Sequence, residues 1–243
     1  MNQSKMTTLQ DLTVGEIVAD NYHTAGVFRQ HGLDFCCGGG ITLKKACEDN
    51  NLDTQHIISE LKQTYQTDTN GFANYKAWEP DYLIDYIIDT HHRFVRLKTE
   101  EITAYVQKVA SVHGRTYPEN IEIYHAFCDL ASEMLQHLQD EEEAVFPLIK
   151  KIYKKRKSGN DVSPEEKEDL KKQLKLMVGD HDGAGQLILK IRKLSNNFTP
   201  PEGACATYRL SYQNLEGFEA DLHKHVHLEN NILFKKAEEL VSG

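Results

Sequence analysis

Two histidine–glutamate pairs, His137 with Glu141 and His225 with Glu229, each stand four residues apart. On an α-helix that interval puts both side chains on one face, one turn apart. Apolar stretches follow both pairs, Ala144-Val145-Phe146 after the first and Ile232-Leu233-Phe234 after the second. Further imidazoles stand at His91-His92 and at His181. His92 precedes His137 by 45 residues, and His137 to His181 and His181 to His225 are each 44. In an antiparallel bundle, equal steps are what residues at similar height on successive helices show. Four imidazoles and two carboxylates would then meet in the middle of the core.

Carboxylates in such a core carry a heavy desolvation penalty unless they are paired or bind metal. Six ligands suit two ions better than one, because both glutamates can bridge. Imidazole and carboxylate without thiolate suit iron or manganese better than structural zinc. The set leaves coordination positions open to a small molecule such as oxygen or nitric oxide. Between His91 and His92 the even spacing favours His92, and His91 also fits an apolar stripe with Ile84, Ile88, Val95 and Ile102. His23, His31, His56, His113, His125, His223 and His227 read as surface or satisfied residues, His113 falling in a loop.

Long helices must carry these side chains. From about residue 81 onward the chain shows four periodic stretches, ending near residues 112, 156, 194 and 240, separated by breakers. The breakers include His113-Gly114-Arg115-Thr116-Tyr117-Pro118 and Asn196-Asn197-Phe198-Thr199-Pro200-Pro201. Ser163 and Pro164 are set as N-cap and first residue of the third helix. The reading is all-α, with an up-down-up-down four-helix bundle over residues 80–243. Residues 1–70 read as a small helical domain of short segments. Thr13-Val14-Gly15-Glu16 forms a capping-box pattern, a helix is expected from Thr24 to His31, Thr42 caps another, and Asp53 or Thr54 opens a fourth. A polar linker covers roughly residues 67–80.

Within the small domain, Cys36-Cys37-Gly38-Gly39-Gly40 is too glycine-rich to be helical. Adjacent thiols form a strained, easily reduced disulfide. They could relay electrons, hold iron transiently or join another thiol. The helix opening near Thr42 is expected to lower a thiol pKa, and the glycines to keep the loop mobile. Cys47, Cys128 and Cys205 read as ordinary residues.

Bulk properties narrow the classes. A net charge of -9 disfavours wholesale nucleic-acid binding and anionic membranes. No apolar stretch approaches the ~20 residues a membrane helix needs, and residues 1–12 lack a secretory core. Five sparse cysteines do not make a secreted disulfide framework. The expected location is the cytoplasm.

Taken together, these motifs resemble the Ric family (repair of iron centres; ScdA/YtfE). Ala25-Gly26-Val27-Phe28 with Leu33-Asp34-Phe35-Cys36-Cys37-Gly38-Gly39 resembles the ScdA-type N-terminal domain. His181-Asp182-Gly183-Ala184-Gly185 and His225-Val226-His227-Leu228-Glu229-Asn230-Asn231 resemble a hemerythrin-like domain. The resemblance implies an oxo-bridged non-haem di-iron centre held by His92, His137, His181, His225, Glu141 and Glu229. It also implies acidic residues on the approach to the site, at Glu133 and Asp180, the latter shorter than the family's usual glutamate. The implied function is repair of iron–sulfur clusters damaged by nitric oxide or peroxide, by supplying iron. Damaged iron–sulfur proteins would be the partners, and family habit would suit a homodimer. Reduction of nitric oxide or peroxide at the centre is the alternative, and an oxygen carrier or sensor a third reading.

Overall fold

The structure, a computed structural model, describes residues 9–67 and 73–242. Part of the polar N-terminal stretch (1–8) and of the linker (68–72) lies outside the described residues. No strand occurs among the described residues beyond an isolated bridge between Thr13 and Thr42. The fold is all-α, and contacts divide the chain into two compact units, Met1–Leu83 with Val226–Ser242, and Ile84–His225.

Four short helices build the first unit: α1 (Val14–Asp20), α2 (Thr24–Gln30), α3 (Leu43–Asp49) and α4 (Thr54–Thr67). The expected capping box is present, Thr13 accepting from the Glu16 amide while the Glu16 carboxylate accepts from the Thr13 amide. Thr42 caps α3 through the Lys45 amide. These helices bury Ile17, Phe28, Leu43, Ile57 and Leu61. The last stretch of chain, with α11 (Phe234–Val241), adds Phe234, Ala237 and Val241 to the buried set.

The second unit is the bundle. α5 (Pro80–Ile87) leads through a π turn, Ile88–His92, into α6 (Arg93–His113). α7 (Glu119–Asp140) leads through a second π turn, Glu141–Val145, into α8 (Phe146–Lys157). α9 (Pro164–Leu194) is continuous and starts on a capping box from Ser163 to Glu166. α10 (Ala206–Leu228) reaches a third π turn, Glu229–Leu233. Helix boundaries fall close to those expected. His113 ends α6 rather than lying in a loop, with its ring against Tyr208.

Each bundle helix buries a seam at alternating three- and four-residue steps. On α9 the seam is Leu170, Leu174, Met177, His181, Ala184, Ile188 and Ile191; on α7 it includes Leu130, Met134 and His137. The imidazoles therefore occupy positions where a coiled-coil-like seam would carry leucine.

Towards the other end of the bundle a closed polar triad is buried. The Asn120 amide donates to the Tyr208 hydroxyl at 2.8 Å, and the Tyr212 hydroxyl donates to Asn120 Oδ1 at 3.3 Å. The two hydroxyls lie 3.3 Å apart. Burial, with the bond to Tyr208, pushes the Tyr212 hydroxyl well up. Asn120→Ala removes both bonds to the phenols, leaving only the one between them, and is expected to cost about 1–3 kcal/mol. Denaturant unfolding with a parallel metal assay checks this: stability should fall with metal content unchanged, and unchanged stability would mean the triad contributes nothing.

Candidate metal centre

Glu141 opens the second π turn and is fully buried. Its Oε2 lies 3.3 Å from His92 Nε2 and 3.4 Å from His137 Nε2. The His181 and His137 Nε2 atoms are 2.9 Å apart, and the His225 ring sits 4.9 Å from that of His92. Within the bundle unit the donors form two triplets sharing one carboxylate, His92–Glu141–His225 and His137–Glu141–His181. In each, ligand atoms lie within 4.8 Å of one another. The structure thus brings together five of the six sequence-selected residues in this unit. Glu229, the sixth, is fully buried and starts the third π turn, one helical turn beyond His225.

Carboxylates behind the imidazoles set their tautomers. Glu142 Oε1 accepts from His92 Nδ1 at 2.6 Å and from Arg96 at 2.9 Å. Burial pushes Glu142 up, but hydrogen bonds from Arg96 and His92 outweigh it and hold the carboxyl below its ordinary range. With the His92 proton fixed on Nδ1, the Nε2 lone pair faces Glu141. Asp180 faces His137 Nδ1 more loosely, at 3.5 Å; burial, reinforced by Asp140, pushes its carboxyl up. A proton on His137 Nδ1 leaves that ring's Nε2 as a lone pair aimed at His181. Lone pairs and a buried carboxylate converging in a dry core are the donor set of a cation site, so these residues fit metal. Glu133 and Asp180 are both exposed. Glu133 sits near Gly183, its Oε2 3.9 Å from where a Cβ would stand there.

His91 and His92 are both buried, at 1% and 0% exposure. A regular helix would turn one of two neighbours away. The extra residue of the π turn lets both point inward, and such turns gather at functional sites. His91 nevertheless differs in role: its Nδ1 donates to Asp221 at 2.9 Å, and its ring stacks on His225 at 5.6 Å. Sequence reading missed the π turns, Glu142 and Asp221. Glu142 had no spacing pattern to mark it.

The thiol loop also differs from expectation. Cys36 and Cys37 are not joined by a disulfide, their Sγ atoms 3.9 Å apart, Cys36 buried and Cys37 half-buried. The Cys37 thiol, then burial, pushes Cys36 well up, opposite to the lowering expected from the helix after Thr42. That helix has only seven residues, and Asp34 intervenes, its Oδ1 accepting from the Cys36 and Cys37 amides at 2.9 and 3.1 Å. Nor does Gly39 serve mobility. Gly39 is buried, and its carbonyl accepts from the Gly15 amide at 2.8 Å. Asn231 donates to the Phe35 and Cys36 carbonyls at 3.3 and 3.2 Å. His227, read as surface or satisfied, is 1% exposed beside Phe35 and Tyr22, and burial lowers its pKa to about 4.

Residues 83–237 match the family described as hemerythrin HHE cation binding domain, and residues 10–65 match the ScdA N-terminal domain, described as a domain of unknown function (DUF542). The iron–sulfur cluster repair protein ScdA of Staphylococcus haemolyticus is 35% identical over 223 residues, covering 92% of this chain and 96% of that protein. The iron–sulfur cluster repair protein YtfE of Yersinia pseudotuberculosis is 34% identical over 213 residues, covering 87% and 89%. The chain belongs to the ScdA/YtfE family. Its hemerythrin-like domain accounts for the buried histidines and glutamates as a cation-binding bundle. No described helix is long and apolar enough to cross a membrane.

Proposed function

We propose that this chain is a di-iron protein that repairs iron–sulfur clusters damaged by nitrosative or oxidative stress, by supplying iron to the damaged protein. Iron–sulfur cluster repair is what its relatives are named for. The observation that carries the reading is Glu141, fully buried yet facing two imidazole Nε2 atoms. In this reading His92 and His225 would hold one ion and His137 and His181 the other, with Glu141 a donor common to both sets. Glu229 supplies the second carboxylate, its helical register with His225 repeating that of Glu141 with His137.

Bound iron would supply redox chemistry and open positions for nitric oxide or oxygen. The chain's own residues do the rest. Glu142, fixed by Arg96, keeps the His92 proton on Nδ1, and Asp180 does the same for His137. Core side chains such as Phe146, stacked on His92 at 5.6 Å, exclude water. Oxygen and nitrogen donors hold ferrous iron less tightly than later divalent metals, which suits release. The cytoplasm, where thiols stay reduced, suits the free cysteines.

A second reading rests on the paired thiols. Oxidation of Cys36 and Cys37 to a disulfide releases two electrons and two protons, which balances conversion of two nitric oxide molecules to nitrous oxide and water. In this reading the chain is a nitric oxide reductase.

The test is metal analysis and absorption spectroscopy on protein from iron-replete cells, before and after nitric oxide, with and without an apo-cluster client. About two irons per chain are expected, with iron moving to the client. Zinc, or no metal, would overturn the di-iron reading. Catalytic nitrous oxide with iron retained would select the reductase. The double variant Cys36→Ser/Cys37→Ser should keep its iron but lose at least about tenfold in repair rate; unchanged repair would remove the thiols from the function.

A further inference from the structure

Outside the bundle, two helices of the first unit bring together His31, His56 and Glu60. His31 is the C-cap of α2, and His56 and Glu60 stand one turn apart on α4. Glu60 reaches both rings with different oxygens: Oε2 lies 2.6 Å from His31 Nε2, and Oε1 3.4 Å from His56 Nε2. The imidazoles are 5.9 Å apart at 87°, so they do not stack. One ligand atom from each of the three residues falls within 4.8 Å of the others.

We propose that His31, His56 and Glu60 form a separate, solvent-accessible site for a divalent first-row transition ion. The donor set is two imidazoles and one carboxylate, which leaves a position for water. Its scaffold is rigid: Phe28 on α2 and Ile57 and Leu61 on α4 are buried within 1% of full burial. A His-x-x-x-Glu pair on one helix completed by a third ligand from a neighbouring helix end is a chelate, whereas His31 with Glu60 alone would be an ion pair. A part-exposed pair of that kind contributes little and gives no role to His56. Metal bonds of about 2.0–2.2 Å in tetrahedral array put ligand atoms roughly 3.3–3.6 Å apart, a range that includes the His56–Glu60 separation. The shorter His31–Glu60 contact is a hydrogen bond and opens by roughly 0.7–1 Å when an ion replaces the proton.

Accessibility distinguishes this site from the bundle centre. His31, Glu60 and His56 side chains are 21%, 30% and 61% exposed. An ion here exchanges directly with solvent, while one beside Glu141 is enclosed. The site stands independently of the proposed function.

Zinc titrated into the full-length, iron-loaded protein against a chromophoric chelator tests it. The parent should take up one zinc without losing iron. His31→Ala/His56→Ala and the single variant His56→Ala, a largely exposed position that folding does not need, should each weaken that binding by at least about tenfold, since even outer-shell losses cost that much. Cobalt in place of zinc should give visible bands absent from both variants. Zinc binding equal in parent and His56→Ala, or zinc entering only by displacing iron, would overturn the proposal.

Discussion

Glu141→Leu protein from iron-replete cells is expected to carry less than roughly half the parent's iron, while its metal-free form unfolds no more easily than the parent's. Both parts follow from the position of Glu141. It is fully buried, and its Oε2 faces His92 and His137 from two different triplets. Removing that carboxylate takes a donor from each triplet at once, so on the proposed di-iron reading both ions should be lost together. Without metal, a buried carboxylate facing neutral imidazoles is an uncompensated desolvated charge, and leucine of similar volume removes that penalty. The signature is therefore a crossing: lower stability than the parent with iron present, equal or higher stability without it. Iron analysis with thermal unfolding of both forms reads it. Full retention of iron would show that Glu141 is a structural acid and that the bundle's cation is held elsewhere.

Much of this centre was legible because bundle helices obey a simple period. His181 stands seven residues after Leu174 and His137 seven after Leu130, on the seam each helix must bury. A polar residue on such a seam needs a reason, and the His-x-x-x-Glu pairs supplied one. Short-range chemistry was legible too: Thr13, Thr42 and Ser163 cap the helices that their types select. What the sequence concealed depends on departures from the 3.6-residue period. Three π turns, at Ile88–His92, Glu141–Val145 and Glu229–Leu233, each begin or end at a ligand candidate. Each adds a residue that no propensity marks, and the first lets His91 and His92 both turn inward. His31, His56 and Glu60 were passed over for another reason. Their meeting is tertiary, between the end of α2 and the face of α4, and no spacing within one helix reveals it.

The glycine run after Cys37 misled in the opposite direction, and Gly39→Ala turns that into an expected result. A Cβ on Gly39 would stand 2.4 Å from the Phe35 carbonyl oxygen and 3.1 Å from Gly15 Cα. Both are backbone, so the clash cannot be relieved by a rotamer. The same segment is tied down on either side: Gly15 donates to the Gly39 carbonyl, and Asn231 to the Phe35 and Cys36 carbonyls. Asn231 also fills the space beside Gly15, its Oδ1 standing 2.1 Å from where a Cβ on Gly15 would be. Glycine is here for close approach of two backbones, not for freedom. Overpacking of this kind costs about 1–3 kcal/mol, and about 1.4 kcal/mol is tenfold in the population of an opened loop. Cys36 is 6% exposed, so its reaction with a disulfide reagent should rise by about that factor. Iron content should not change. Gly40→Ala, where a Cβ meets nothing within 4 Å, is the control. Should Gly39→Ala leave thiol reactivity and melting as Gly40→Ala does, the loop is free after all. Should reactivity rise and repair fall with iron intact, the backbone clamp is what holds the two thiols ready for the proposed repair.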